Sequence, residues 1–166
     1  MPLVRPAAVG PRGREGHCDA VRGYTVRHVS QVCPMSEILV PVSFGELLDK
    51  ISILQIKSER MSDAAKLANV RNELAALDRT WAAHPAAAQD IAALRSELKA
   101  VNERLWDIED DIRLKEKAQS FDDGFVQLAR SVYFQNDERA RIKKAINLAL
   151  GSSYVEEKSY QDYRAG

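Results

Sequence analysis

An all-α fold of about four helices is predicted by three features of this chain. Leu67, Val70, Leu74, Leu77 and Trp81 step by three and four. After His84-Pro85, the residues Ile91, Leu94, Leu98, Val101, Leu105, Ile108 and Ile112 step in the same way. This is the coiled-coil spacing of helices that bury one narrow seam. Ser43-Phe44-Gly45-Glu46 opens an earlier helix, and Gly151 closes a later one. The expected architecture is a central first helix, a long antiparallel hairpin formed by the next two, and a C-terminal helix with a packed tail.

Each element has its own signals. Ile38-Leu39-Val40-Pro41-Val42 is interrupted by proline and reads as an extended lead-in. Ser43 and Glu46 form a capping box, and Val42 with Leu47 a hydrophobic staple. Helix 1 then runs from about Phe44 to Met61. Phe44, Leu47, Leu48, Ile51 and Leu54 share one arc, while Ile53 and Ile56 lie on another, so this helix is packed on two sides. A polar stripe of Glu46, Lys50 and Lys57 separates the arcs, with Glu46 to Lys50 in the favourable i,i+4 order. Helix 2 begins at Ser62 and reaches about Ala83. Helix 3 spans roughly Ala86 to Ala118, with Arg113, Lys115 and Lys117 suiting its C-terminal dipole. Ser120-Phe121-Asp122-Asp123-Gly124 is a turn with capping residues. Helix 4 runs from about Asp123 to Leu150 and stops at Gly151. The segment Tyr154–Tyr163 is aromatic and charged and is expected to pack back on the bundle.

Composition narrows the function classes. The chain has 166 residues, 45% hydrophobic and 29% charged, which suits one ordinary domain. Lys and Arg total 24, as do Asp and Glu, so bulk charge points to neither nucleic acid nor an anionic membrane surface. No apolar run approaches the roughly 18–20 residues of a membrane span. The two cysteines, Cys18 and Cys33, do not make a disulfide framework or a four-ligand zinc site, and a cytoplasmic setting is expected. Residues 1–34 are rich in proline, glycine and arginine and show no period. They are expected to be a disordered extension upstream of a true start at Met35, leaving one helical domain over residues 35–163.

Helix 4 breaks the pattern. Phe125, Leu128, Ala129 and Val132 define an inward arc, and its continuation meets Asn136, Arg139, Lys143 and Asn147. Cations on a core-facing arc must meet partners, water or a ligand. Three arrangements are open. The helix bends or outlasts its neighbours and these groups are solvated. They pair internally with Glu46, Asp49, Glu109, Glu156 or Glu157. Or Arg139 and Lys143, with Asn136 and Asn147, line a pocket for an anionic ligand, extended by Arg130 and Tyr133. No catalytic set is visible: the domain lacks cysteine, a Gly-rich phosphate loop and H-E-x-x-H. His84 sits alone in a turn, so no metal or cofactor is expected. Trp81 and Trp106 read as packing residues.

From Met35 onward the chain resembles a bacterial family of short proteins with no assigned function. The resemblance is carried by Val42-Ser43-Phe44-Gly45-Glu46-Leu47-Leu48-Asp49-Lys50-Ile51-Ser52-Ile53-Leu54-Gln55-Ile56-Lys57, by Lys66–Val70, Leu105–Glu109, Leu128–Tyr133 with Asn136-Asp137, and by Glu156-Glu157-Lys158-Ser159-Tyr160. It covers nearly all of residues 35–163 and implies a surface-glycan and glycosyltransferase setting, with no site residues to carry over. The stretch from Asp49 to Glu59-Arg60-Met61 is also similar to the first helix of all-helical chorismate mutases. Its spacing is off by one residue, however, and an upstream arginine is missing.

The function expected first is a non-enzymatic interaction or accessory role, with a protein partner or a second copy of the chain as its contact. The alternative is an anionic-metabolite-binding or enzymatic helical domain that uses the polar face of helix 4.

Overall fold

The structure, a computed structural model, describes residues 38–155 and 157–159. The chain divides into two units, Met1–Leu39 and Val40–Gly166, and all the described helices lie in the second. The extension expected over residues 1–34 and the start at Met35 lie outside the described residues.

The fold is all-α, with α1 over Phe44–Arg60, α2 over Ala64–Ala82, α3 over Ala92–Lys117 and α4 over Asp123–Ala149. Ser43 caps α1 by accepting the Glu46 amide at 3.2 Å. The other half of the box is not used that way, because the Glu46 carboxylate crosses to Lys143 on α4. Nor does Glu46 serve Lys50, which pairs with Glu73 of α2 at 2.6 Å. Asp63, rather than Ser62, caps α2 by accepting the Lys66 amide at 2.9 Å.

Helix α3 begins later than its ladder suggests. Pro85 opens a separate 3-10 turn, Pro85–Ala88, whose Ala86 amide donates to His84 Nδ1 at 3.1 Å. Asp122 caps α4 by accepting the Phe125 amide at 3.0 Å. Gly151, at φ +65°, turns the chain out of α4, and the Ser152 amide closes on the Asn147 carbonyl at 2.8 Å.

Helix α1 is central, packing on α2 along one side and on α3 and α4 along the other. The long antiparallel hairpin is present, but its arms are α3 and α4, and among the described residues α2 meets only α1 and the 3-10 turn Pro85–Ala88. The connections account for this. Met61–Asp63 folds α2 straight back on α1, so that Phe44 meets Trp81 edge-on at a ring separation of 6.1 Å. The longer link through the 3-10 turn carries α3 to the opposite side of α1. There α3 and α4 run antiparallel, tied by Glu97 to Arg141 at 3.4 Å, Arg104 to Gln135 at 2.8 Å and Lys115 to Asp122 at 2.7 Å.

Leu48, Ile51, Leu98, Val101, Ile142 and Ile146 are each no more than 2% exposed and form the core between these elements. Each such side chain contributes about 1.5–3 kcal/mol on burial. Helix α1 ends at Arg60, which pairs with Asp107. The hairpin continues past that level, so α1 leaves its distal half uncovered. The described part of the tail returns along α4: Glu157 pairs with Lys144 at 3.1 Å, and Lys158 Nζ donates to the Asn136 carbonyl at 3.1 Å, while residues 160–163 of the expected tail lie outside the described residues.

Candidate functional site: the polar seam between α1 and α4

The two helices run antiparallel, and the polar arc of α4 meets α1 turn by turn. At the first level, Asn147 is fully buried and its Oδ1 accepts the Gly45 amide at 2.7 Å. That amide belongs to the first turn of α1 and has no intrahelical acceptor, so a side chain from another helix supplies one. Gly45 is required for this approach. A Cβ there would stand 2.7 Å from the Lys143 carbonyl oxygen and 3.1 Å from Asn147 Oδ1. At the next level Lys143, 4% exposed, pairs with Glu46. Lys143 and Asn147 therefore form a clamp between helices.

One turn further along α1 lies a buried polar group. Asn102 of α3 donates through Nδ2 to Asp49 Oδ1 at 2.8 Å and to Ser52 Oγ at 2.7 Å. Ser52 in turn donates to the Asp49 carbonyl at 2.8 Å. These contacts fix the amide orientation, because a flipped Asn102 would set its oxygen against a carboxylate. Asn102 Oδ1 is buried and finds no hydrogen-bond partner among the described residues. An unmet buried acceptor costs about 1–3 kcal/mol.

Arg139 is next along α4. Its Nε lies 4.0 Å from Asp49 Oδ2, and its side chain is 31% exposed. The guanidinium hydrogen-bonds to no described residue. It borders a cleft of about 470 Å³ at the point where α1 runs out against the hairpin. Ile53 and Ile56 of α1 and Leu105 of α3 form its apolar side, with Trp106 beside them. Asn102, Asn136, Glu109, Asp110 and Arg113 complete the wall. The Arg60 guanidinium stands 6.0 Å from the Trp106 ring centroid.

The residues singled out in the sequence are thus divided. Asn136 and Arg139 reach the cleft, while Lys143 and Asn147 lie in the clamp. Asn136 also donates to the Val132 carbonyl at 2.9 Å. Arg130 and Tyr133 are on the exposed side of α4 and do not border the cleft, and the Tyr133 ring lies 4.7 Å from that of Phe134 at a tilt of 37°. Of the acidic partners considered, Glu46 meets Lys143, Asp49 lies near Arg139, Glu109 pairs with Arg113 at 2.8 Å and Glu157 with Lys144. Glu156 lies outside the described residues.

Asn102, Trp106 and Asp110 were not legible as site residues. The one available signal was Asn102, a polar residue between Val101 and Leu105 on a ladder that is otherwise apolar. Among the described residues no helix is long and apolar enough to cross a membrane.

No curated protein and no solved structure matches this chain. A family model does, over residues 38–164, and the chain belongs to the family that it describes, DUF6165, a family of unknown function.

Proposed function

We propose that this protein is a non-enzymatic accessory protein that binds a small anionic ligand in the cleft, with Arg139 as the group that meets the anion. One observation carries this reading. A guanidinium that is about two-thirds buried holds no hydrogen bond to a described residue and stands at a cleft. Such a group has lost water without gaining a close partner. Asp49 offsets its charge from 4.0 Å but does not occupy the planar fork, and a ligand carboxylate or phosphate would.

Thermal unfolding tests the reading. A ligand present at 100 times its Kd stabilises the fold by about 2.7 kcal/mol. Across a panel of carboxylates and phosphates, at least one should raise Tm of the wild type. Arg139→Gln should abolish that rise while leaving the unliganded Tm within a few degrees. A panel that leaves the wild-type Tm unmoved contradicts it.

The interaction role expected first from the sequence is the second reading. It is supported by the distal hairpin, where Leu114, Phe121 and Val126 are exposed beyond the end of α1. A second copy is the occupant we favour. Glu109-Asp110-Asp111 precede Arg113, Lys115 and Lys117 on one helix, so two such helices paired antiparallel set acid against base. A bacterial, surface-glycan setting is supported by the resemblance alone, and a cytoplasmic one by the chain's two cysteines.

A further inference from the structure

We propose that the cleft is built for a free apolar amino acid, with its carboxylate on Arg139, its ammonium on Asp110 and its side chain against Ile53, Leu105 and Trp106. This rests on the ligand-binding reading and narrows it: the anion that meets Arg139 is one end of a dipolar molecule.

Charge sets the first limit. Arg113 and Arg139 border the cleft together with Glu109 and Asp110, and the buried Asp49 stands behind Arg139. Arg113 is held by Glu109, through the carboxylate at 2.8 Å and the backbone carbonyl at 2.6 Å. Arg60 is held by Asp107, and Asp49 offsets Arg139. Asp110 remains. It forms no hydrogen bond or ion pair with a described residue and acts on Arg60 only through space. The cleft and its surroundings thus carry one carboxylate in excess. A ligand with negative charge alone would meet Arg139 but be opposed by that carboxylate. A zwitterion engages both groups without adding net charge, and its ammonium donates to Asp110.

The wall between the two charges sets the second limit. Asn102, Trp106 and Asp110 follow one another by a turn on α3 and share a face. Arg139 stands at the Asn102 end, beside Asp49, and Asp110 marks the other end. Trp106 therefore lies between the cation and the carboxylate. Because α3 and α4 run antiparallel, the Cα–Cβ bonds of Arg139 and Asp110 lean toward each other. Ile53, Ile56 and Leu105 add apolar surface at the same level. A molecule that spans the two charges presses its body on this surface, and an apolar side chain gains there. A cleft of about 470 Å³ falls in the size range of small-molecule sites.

Isothermal titration of the full chain tests the assignment with phenylalanine and three probes that each lack one feature. Hydrocinnamate lacks the ammonium, phenethylamine the carboxylate and glycine the apolar side chain. Nitrogen-15 spectra follow the Trp106 indole to place binding at this cleft. Phenylalanine is expected to bind at least about fivefold tighter than the other three and to shift the Trp106 signal. Arg139→Gln should weaken phenylalanine and hydrocinnamate alike. Asp110→Asn, on an exposed position, should weaken phenylalanine alone. Hydrocinnamate binding as tightly as phenylalanine would overturn the ammonium contact and leave the anion-binding reading standing. Glycine binding as tightly would overturn the apolar contact. Phenethylamine binding as tightly, with no effect of Arg139→Gln, would overturn both the assignment and the reading beneath it. Failure of all four to bind would overturn the amino-acid assignment, and the wider thermal panel then decides the anion-binding reading. Should Arg139→Gln not fold, Arg139→Lys retains the charge without the fork and should still lose affinity.

Discussion

A glycine and an asparagine decide how closely α1 and α4 approach. Asn147 has no exposed surface and spends its oxygen on the Gly45 amide, while its Nδ2 finds no partner among the described residues. Such an arrangement tolerates little change. A Cβ at position 45 meets backbone rather than a movable side-chain tip, so Gly45→Ala must push the helices apart. We expect a loss of about 1–3 kcal/mol, as for other overpacked sites, read as a lower urea midpoint with the helical circular dichroism retained at zero denaturant. The polar arc was legible at this scale because cations and amides interrupted an apolar period. Its division into clamp and cleft was not, because the register of α4 on α1 fixes which level each residue meets. Asn102 escaped notice, and Trp106 read as packing alone, for the same reason: their places at the cleft come from where α1 ends.

Helix starts and stops were the most readable elements. Ser43, Asp122 and Gly151 act as their types suggest, since a cap needs only local geometry. Asp122 goes further, because it also holds Lys115 across the turn between α3 and α4 at 2.7 Å. The hydrogen bond from Lys115, then that from the Phe125 amide, brings its carboxyl down to about 2 from 3.8. A carboxyl depressed on folding stabilises the folded state above its unfolded value and loses that contribution as pH falls through its folded one. Order at the Ser120–Gly124 turn should therefore hold above about pH 4 and fade toward pH 2. Asp122→Asn should remove that component of the titration when amide exchange is followed across the turn. The ladders of α2 and α3 gave element type correctly but not partner. A seam of leucines specifies a complementary apolar face without saying whose, and α1 offered such a face at the end of a shorter link.

At the scale of the molecule, one helix serves three neighbours and a hairpin outruns its support. Helix α1 covers α3 and α4 only as far as Arg60. The exposed apolar side chains at Leu114, Phe121 and Val126 follow from that mismatch in length. If a second copy covers them, sedimentation equilibrium should show a concentration-dependent dimer, and Leu114→Glu should return it to monomer with its helicity unchanged. A monomer at every concentration would remove the second copy as occupant. All-α class, helix number and the central place of α1 could be read from periodicity and two-sided apolarity. The pairing of the arms and the cleft at the end of α1 required three dimensions, because both depend on relative helix length and link geometry.

The division of the α4 arc into a clamp that holds the fold and an arginine left over for binding is tested most directly by equilibrium urea unfolding of Arg139→Gln beside Asn147→Leu. Asn147→Leu should lose about 1–3 kcal/mol, since it strands the Gly45 amide, whereas Arg139→Gln should stay within about 0.5 kcal/mol of wild type. Equal and large losses in both would make Arg139 a structural member of the seam and contradict its assignment to the cleft.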